Sequence, residues 1–387
     1  MVITTGTRQR ASAVALLAAV FAVVGCAGAS QETTTAASPA APSAGGVTTT
    51  TSPAATSIDM ETTVPSAEAG TPKLSSEDFQ FRSDGFDLVG TLHLPAGTGP
   101  HGALIMVHGS GPQTRDSIPT SGLVKRRFLD AGYAVLSWDK PGSGESTGVF
   151  DPEYGNTQRA TILADAIEEL AHHSAVNPDR IGLWGLSEAG WVMPQALTMT
   201  DRVAFMIVVS GGGEDSIEQQ VYQWTQKARC GGATPDEVAV MSQYGAPALK
   251  ATSYNEYHEA MEQLLTISNL DHYIGVDIEF AGEDDWRPWP REIDAFFDPI
   301  DVIEHTRIPV LAIFGEHDIQ IDPTQGADAY EAALQRAGNT ESHVETIPAV
   351  GHTLQPTTRE GCTTTGSNAP RRYLQIIDEW IESVQDR

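Results

Sequence analysis

Five strand-length apolar runs, each followed by glycine or by a glycine-bearing loop, constrain this chain more than any other feature. They are Ala103–Val107, Tyr133–Trp138, Ile181–Trp184, Ala204–Val209 and Pro309–Phe314. A strand with one wet face alternates apolar and polar residues. A continuous apolar run is buried on both faces, as in a parallel sheet. Between them lie stretches with apolar residues at helical spacing, such as Ile162–Leu170, Tyr330–Ala337 and Arg372–Val384. Phe79–Arg82 and Leu88–Leu94 read as a hairpin around Ser83-Asp84-Gly85, and His343–Ile347 as a last strand. This alternation predicts α/β architecture, a mostly parallel sheet with helices on both faces.

One segment breaks the rhythm. From Ser210 to about Ile300 no strand is evident, but Ile217–Ala228, Pro235–Tyr244 and Tyr254–Ser268 are helix-like. Ninety residues are too many for a loop, so a helical lid insertion over one end of the sheet is expected, about 213–300. Trp286, Pro288, Trp289 and Pro290 within it fit either an aromatic wall over an acyl pocket or ordinary packing onto the sheet.

The N-terminal stretch reads as address and tether. Arg8 and Arg10 precede an apolar run of 14 residues, Ala11–Val24, which is too short for a comfortable bilayer span. The run ends Val23-Val24-Gly25-Cys26 and resembles a bacterial lipobox, which implies a signal peptide over 1–25 and lipid on Cys26. Two or more acyl chains on that cysteine suffice for stable anchoring. Residues 26–75 are mostly Ala, Ser, Thr, Pro and Gly and bury too little to offset their ordering entropy. Such a tether reaches about 40 Å root-mean-square. The expected location is the outer side of the bacterial cytoplasmic membrane, with the working domain over 76–387.

Charge narrows the partners. Against 51 acidic residues stand 23 Lys and Arg, a formal net charge of −28, so no basic surface for nucleic acid is expected. Three cysteines exclude both a four-cysteine zinc site and a disulfide-framework miniprotein. There is no Walker sequence and no HExxH motif, and Gly142-Ser-Gly144-Glu-Ser-Thr-Gly148 misses the dinucleotide spacing because Thr147 stands at the third glycine position. No cofactor or metal is expected.

Ligands of open α/β sheets bind beyond the C-terminal strand ends, so the loops there are read together. His108-Gly-Ser-Gly-Pro112 has the glycines that turn backbone N–H groups into a cleft, as an oxyanion hole requires. Gly185-Leu-Ser187-Glu-Ala-Gly190 resembles the nucleophile elbow of the α/β-hydrolase family, with Ala189 where glycine is usual. Phe314-Gly-Glu-His-Asp318 stands where that family keeps its acid, with Glu316 and Asp322 as rivals. Ala349-Val-Gly-His352 stands where it keeps its base, with His317, His305 and His343 in weaker positions. The order Ser187, Asp318, His352 is the family's order of nucleophile, acid and base.

The resemblance covers about residues 79–384 outside the insertion. His108–Asp116 and Asp139-Lys-Pro-Gly-Ser-Gly-Glu-Ser146 look like the bacterial exported esterase and dienelactone-hydrolase-like branch. It implies a serine hydrolase of carboxylic esters with small or medium acyl groups, with the Ser110 and Glu188 backbone N–H groups as oxyanion hole. Two alternatives stand: a serine peptidase of prolyl-oligopeptidase type, and a noncatalytic surface-binding lipoprotein. With Cys26 committed to lipid, Cys230 and Cys362 are the remaining candidates for a disulfide, with two unpaired thiols as the alternative.

Overall fold

The computed structural model describes residues 74–149, 155–275, 281–288 and 296–385. The signal peptide, Cys26 and the tether lie outside the described residues, as do Trp289 and Pro290.

Eight strands form one sheet: β1 (Ser75–Ser83), β2 (Phe86–Leu94), β3 (His101–Val107), β4 (Ala134–Trp138), β5 (Val176–Leu186), β6 (Val203–Val209), β7 (Val310–Gly315) and β8 (His343–Ile347), in spatial order β1-β2-β4-β3-β5-β6-β7-β8. The β1–β2 hairpin and the β2–β4 pair are antiparallel; all later pairs are parallel. The hairpin turns on Asp84 and Gly85, with φ of 48° and 84°. Two left-handed residues are what a two-residue turn needs to match strand twist, and Asp-Gly supplies them cheaply.

Helices cover both faces. On one lie α1 (Ser121–Asp130) and, last in the chain, α10 (Arg371–Val384), which bury Val124, Phe128, Tyr373, Ile377 and Trp380 against β3–β7. On the other lie α2 (Asn156–Ala171), α3 (Ala189–Ala196), the short α8 (Ile300–Ile303) and α9 (Pro323–Ala337), with Leu163, Ile167, Val192 and Leu334 inward. Burying a side chain such as Phe128 contributes about 1.5–3 kcal/mol, so the two apolar layers dominate the fold's stability.

Between β6 and β7 come α4 (Ser216–Cys230), α5 (Pro235–Lys250), α6 (Tyr254–Leu264) and α7 (Leu270–Ile274). They build a core of their own from Val221, Trp224, Met241, Leu249, Tyr257 and Met261. Thr234–Glu237 and Ser253–Glu256 form capping boxes that start α5 and α6. Trp286 stacks on Tyr257 at 5.6 Å against this core, so it packs within the insertion itself and not onto the sheet.

Several bounds differ from the sequence reading. Helix α5 runs on to Lys250 through Gly245 and Pro247, held by Val221 packed on Gly245. Helix α6 stops at Leu264, four residues before Ser268. Helix α9 begins at Pro323 instead of Tyr330, because Asp322 caps its first turn.

Candidate active site

Strand β5 ends at Leu186 and α3 begins at Ala189, so the chain reverses around Ser187. Ser187 has φ 61°, a left-handed conformation that costs a non-glycine residue about 1–3 kcal/mol. Its neighbours hold it there: Ser187 N donates to Val209 O at 2.9 Å, and Gly190 N to Ser187 O at 2.8 Å. Absent side chains set the spacing. A Cβ on Gly190 would lie 2.3 Å from the Gly211 carbonyl carbon, and one on Gly211 would lie 2.1 Å from Ser187 O. A Cβ on Gly185 would meet that of Ala189 at 2.4 Å. Ala189 therefore fits where the family prefers glycine because Gly185 has no methyl to oppose it.

Asp318 follows β7 and is 3% exposed. Its Oδ1 accepts from Gln320 N at 2.7 Å and Ile321 N at 3.1 Å, and His352 Nδ1 stands 2.9 Å from its Oδ2. A buried carboxylate so fully hydrogen-bonded is both satisfied and fixed in direction. From the insertion, Tyr222 donates its hydroxyl to the Asp318 carbonyl at 2.9 Å.

The rival residues are occupied elsewhere. Asp322 Oδ1 caps α9 by accepting from Thr324 N and Gln325 N. Glu316 Oε2 accepts from Ala349 N at 2.9 Å and lies 3.4 Å from His317. His305 meets the Asp301 carbonyl, and His343 meets Glu345. Only His352 meets Asp318 among the described histidines.

Ser187, Ser110 and Glu188 line one small cleft together with Gln320 and Ile321 of the Asp318 turn. Among the described residues no hydrogen bond joins Ser187 to His352. The structure thus pairs Asp318 with His352 directly and sets Ser187 on the cleft that the Asp318 turn helps to wall.

Behind the cleft is a buried charge group that sequence reasoning missed. Lys140, 5% exposed, donates to the carbonyls of Gly109 and, at 2.9 Å, Gly111. Its Nζ is 3.9 Å from Glu188, whose carboxylate also pairs with Arg159. Burial and the Arg159 charge lower the Lys140 pKa to about 7, with Glu188 opposing them. Next to it, burial lowers His108 to about 3, which makes that imidazole neutral, edge-on to Trp138 at 5.3 Å. Asp-Lys directly after a fully apolar strand was the available signal, since a cation there has little water to face.

The Gly-rich segment after β4 has a structural job. Burial works against ionisation of Asp139, yet Arg115 grips both its oxygens, at 3.1 and 2.7 Å, and its pKa is held below the ordinary range. Gly144 has φ 53°, and a Cβ there would lie 2.1 Å from Asp139 Oδ2. The glycine admits a carboxylate, not a nucleotide.

Cys230 at the end of α4 is bonded to Cys362, ten residues beyond His352, with Cα atoms 5.5 Å apart. Beside it, Arg229 donates to Glu360 O at 2.6 Å. The insertion therefore holds both the Asp318 carbonyl, through Tyr222, and the loop that follows His352.

This sheet order, with a left-handed serine after β5 and an Asp–His pair after β7 and β8, defines the α/β-hydrolase fold. An esterase of Pyrococcus furiosus shares that fold at a TM-score of 0.50 and 13% identity, covering 81% of this chain and 92% of the esterase. Residues 84–345 match the X-Pro dipeptidyl-peptidase (S15) family, and the chain belongs to it. It is 33% identical over 126 residues to a thiohydrolase, aneE, of Aspergillus aculeatus, covering 33% of this chain and 38% of the relative. It is 28% identical over 153 residues to the 2,6-dihydropseudooxynicotine hydrolase of Paenarthrobacter nicotinovorans, 39% of each. The chain spans about two fifths of the length of these curated relatives. The chain thus has the α/β-hydrolase fold and belongs to a family described by a peptidase activity.

Proposed function

We propose that this hydrolase cleaves carboxylic esters of small or medium acyl groups through an acyl-enzyme on Ser187. The single observation that carries the reading is the Asp318–His352 pair at 2.9 Å, whose turn residues Gln320 and Ile321 line the same cleft as a serine in a left-handed turn. A serine hydroxyl is a weak nucleophile until a base takes its proton during attack. His352 Nε2 takes the Ser187 proton as Oγ bonds to the carbonyl carbon, and Asp318 stabilises the imidazolium. The backbone N–H groups of Ser110 and Glu188 receive the oxyanion, each contributing about 3–4 kcal/mol. Lys140 serves them by tethering the carbonyls on both sides of Ser110. The tetrahedral adduct collapses, and His352 returns the proton to the departing alkoxide. Water then gives a proton to His352 as its oxygen bonds to the acyl carbon, and when this second adduct collapses His352 returns the proton to Ser187 Oγ and the acid leaves. No cofactor or metal takes part in these steps.

The decisive experiment is labelling by a fluorophosphonate together with hydrolysis of p-nitrophenyl esters. Ser187→Ala should abolish labelling and reduce turnover at least about a thousandfold with the fold intact. Labelling that persists in Ser187→Ala removes the serine from the mechanism. A second reading, cleavage after an X-Pro dipeptide, is favoured by the family match over residues 84–345. Faster turnover of an X-Pro p-nitroanilide than of any p-nitrophenyl ester would select it. Labelling without turnover of either substrate class points to a binding protein.

The domain plan is part of the proposal: a signal peptide to residue 25, lipid on Cys26, a tether to about residue 75, and the hydrolase domain beyond, held outside the cytoplasmic membrane. Among the described residues no helix is long and apolar enough to cross a membrane. Cys26→Ser should release the protein to the medium or leave an uncleaved precursor; unchanged fractionation with membranes would count against lipidation.

A further inference from the structure

The cleft beside Ser187 has an unusual wall for an acyl pocket. Trp191 and Ile321 supply apolar surface, but Asn156, Gln220, Gln223 and Gln320 face the same space. Three of these amides are almost wholly buried: Gln220 and Gln223 at 1% exposure and Asn156 at 2%. Burying a polar side chain is unfavourable unless its hydrogen bonds are made, so amides this deep need a reason.

The amides form a relay with a direction. Gln220 Nε2 donates to Gln223 Oε1 at 2.9 Å, and Gln223 Nε2 donates to Gln320 Oε1 at 3.1 Å. Gln320 is fixed in turn, because its N–H binds the Asp318 carboxylate and its carbonyl accepts from Gln219 Nε2 at 2.8 Å. The far end is open: among the described residues Gln220 Oε1 is buried with no partner, and so is Asn156 Oδ1. The two residues that carry these buried acceptors, Gln220 of α4 and Asn156 at the start of α2, both line the cleft that holds the candidate nucleophile.

A hydrocarbon chain in this space would leave both oxygens unsatisfied, whereas O–H or N–H groups reaching them would complete them. Sites built to bind a polar group reject the analogue that lacks it far more strongly than an apolar pocket rejects a longer chain. We propose that the part of the substrate entering this cleft carries hydrogen-bond donors, hydroxyl or amide N–H, that engage Gln220 Oε1 and Asn156 Oδ1. The inference rests on the reading of Ser187 as nucleophile and names the chemical class of its substrate: polar, donor-bearing carboxylic acid derivatives instead of plain alkanoyl esters.

The test compares 4-nitrophenyl butyrate with two matched esters, 4-nitrophenyl 3-hydroxybutyrate as the O–H arm and the 4-nitrophenyl ester of N-acetylglycine as the N–H arm. Wild-type kcat/KM should be at least about tenfold higher for one or both donor esters, after correction for spontaneous hydrolysis. Gln220→Met keeps the length and removes the acceptor, so it should cut that ratio by about tenfold or more. Gln220→Glu keeps an acceptor and should preserve it. Wild-type enzyme that hydrolyses butyrate as fast as both donor esters overturns the proposal, whatever the variants do. Equilibrium binding of 3-hydroxybutyrate, N-acetylglycine and butyrate to Ser187→Ala separates the two readings. Tighter binding of a donor-bearing acid without turnover in the wild type retires the nucleophile but keeps the cleft chemistry. Equal binding of all three acids retires the cleft chemistry.

Discussion

Lys140 Nζ donates to the carbonyl of Gly111 at 2.9 Å and also to that of Gly109, so one buried ammonium ties the exit of β4 to the loop that leaves β3. Ser110 lies between those carbonyls, and its direction into the cleft depends on them.

Lys140→Met keeps the volume of the stem and removes the tether. The expected result is a fall in kcat of roughly tenfold to a hundredfold with KM little changed, smaller than the loss of a whole oxyanion donor. Steady-state kinetics on a variant with a wild-type unfolding midpoint reads this out. An unaltered kcat would reduce the lysine to packing.

Asp318→Asn should lower kcat by about 10⁴, because an amide cannot hold the imidazole in the required tautomer. Asp322→Asn should leave turnover near wild type, since asparagine caps a helix as well as aspartate does. Asp322→Ala should cost about 1 kcal/mol of stability through α9. Were Asp322→Asn or Glu316→Gln the damaging change, the acid would be misassigned.

Glu214 supplies a pH signature. It is half-buried beside Glu218, Asp322 and Asp215, with Lys250 as a partial counterweight. Burial first, and then those carboxylates, raise its pKa from 4.5 to about 8. The folded state therefore keeps a proton that the unfolded chain releases between these values. Its stabilising contribution is complete below 4.5 and is lost as pH rises through about 8. Glu214→Gln should match wild type near the lower limit and unfold at least about 2 °C higher at the upper. Thermal melts that stay parallel across this range would refute it.

Denatured, unreduced protein should show no reactive thiol from Cys230 or Cys362, and two after reduction. By loop entropy over some 131 closed residues, reduction should remove up to about 4–5 kcal/mol of stability. Two thiols titrating before reduction would mean that the bond does not form.

The strand ends that carry Ser187 and Asp318 were legible in the sequence, because each residue follows an apolar run. His352 follows β8, His-Val-Glu-Thr-Ile, which has no such run, and only the resemblance and the order of the three residues pointed to it. Helix α1 escaped because Lys125, Arg126 and Arg127 interrupt the apolar stripe of Val124 and Phe128. Gln220 and Gln223 escaped for a deeper reason. On α4 they read as the solvent face of an amphipathic helix, and only the seating of the insertion against the Asp318 turn buries them. Lys140 likewise gains its meaning from Gly109 and Glu188, about 30 and 50 residues away. Sequence periodicity reports a residue's own element, and these residues take their roles from another.

Gly190 and Gly211 touch where α3 crosses the exit of β6, backbone against backbone, with Ser187 O pressed on the same spot. Damage at such a place runs opposite to the familiar kind. Elsewhere in the core a mutation harms by subtraction, leaving a void. Here the harm comes by addition, because a single extra carbon has nowhere to go except into the peptide that carries Ser187. Ser187 is thus held at a point of zero clearance, and even alanine, a mild substitution in most places, is more than these two positions can absorb.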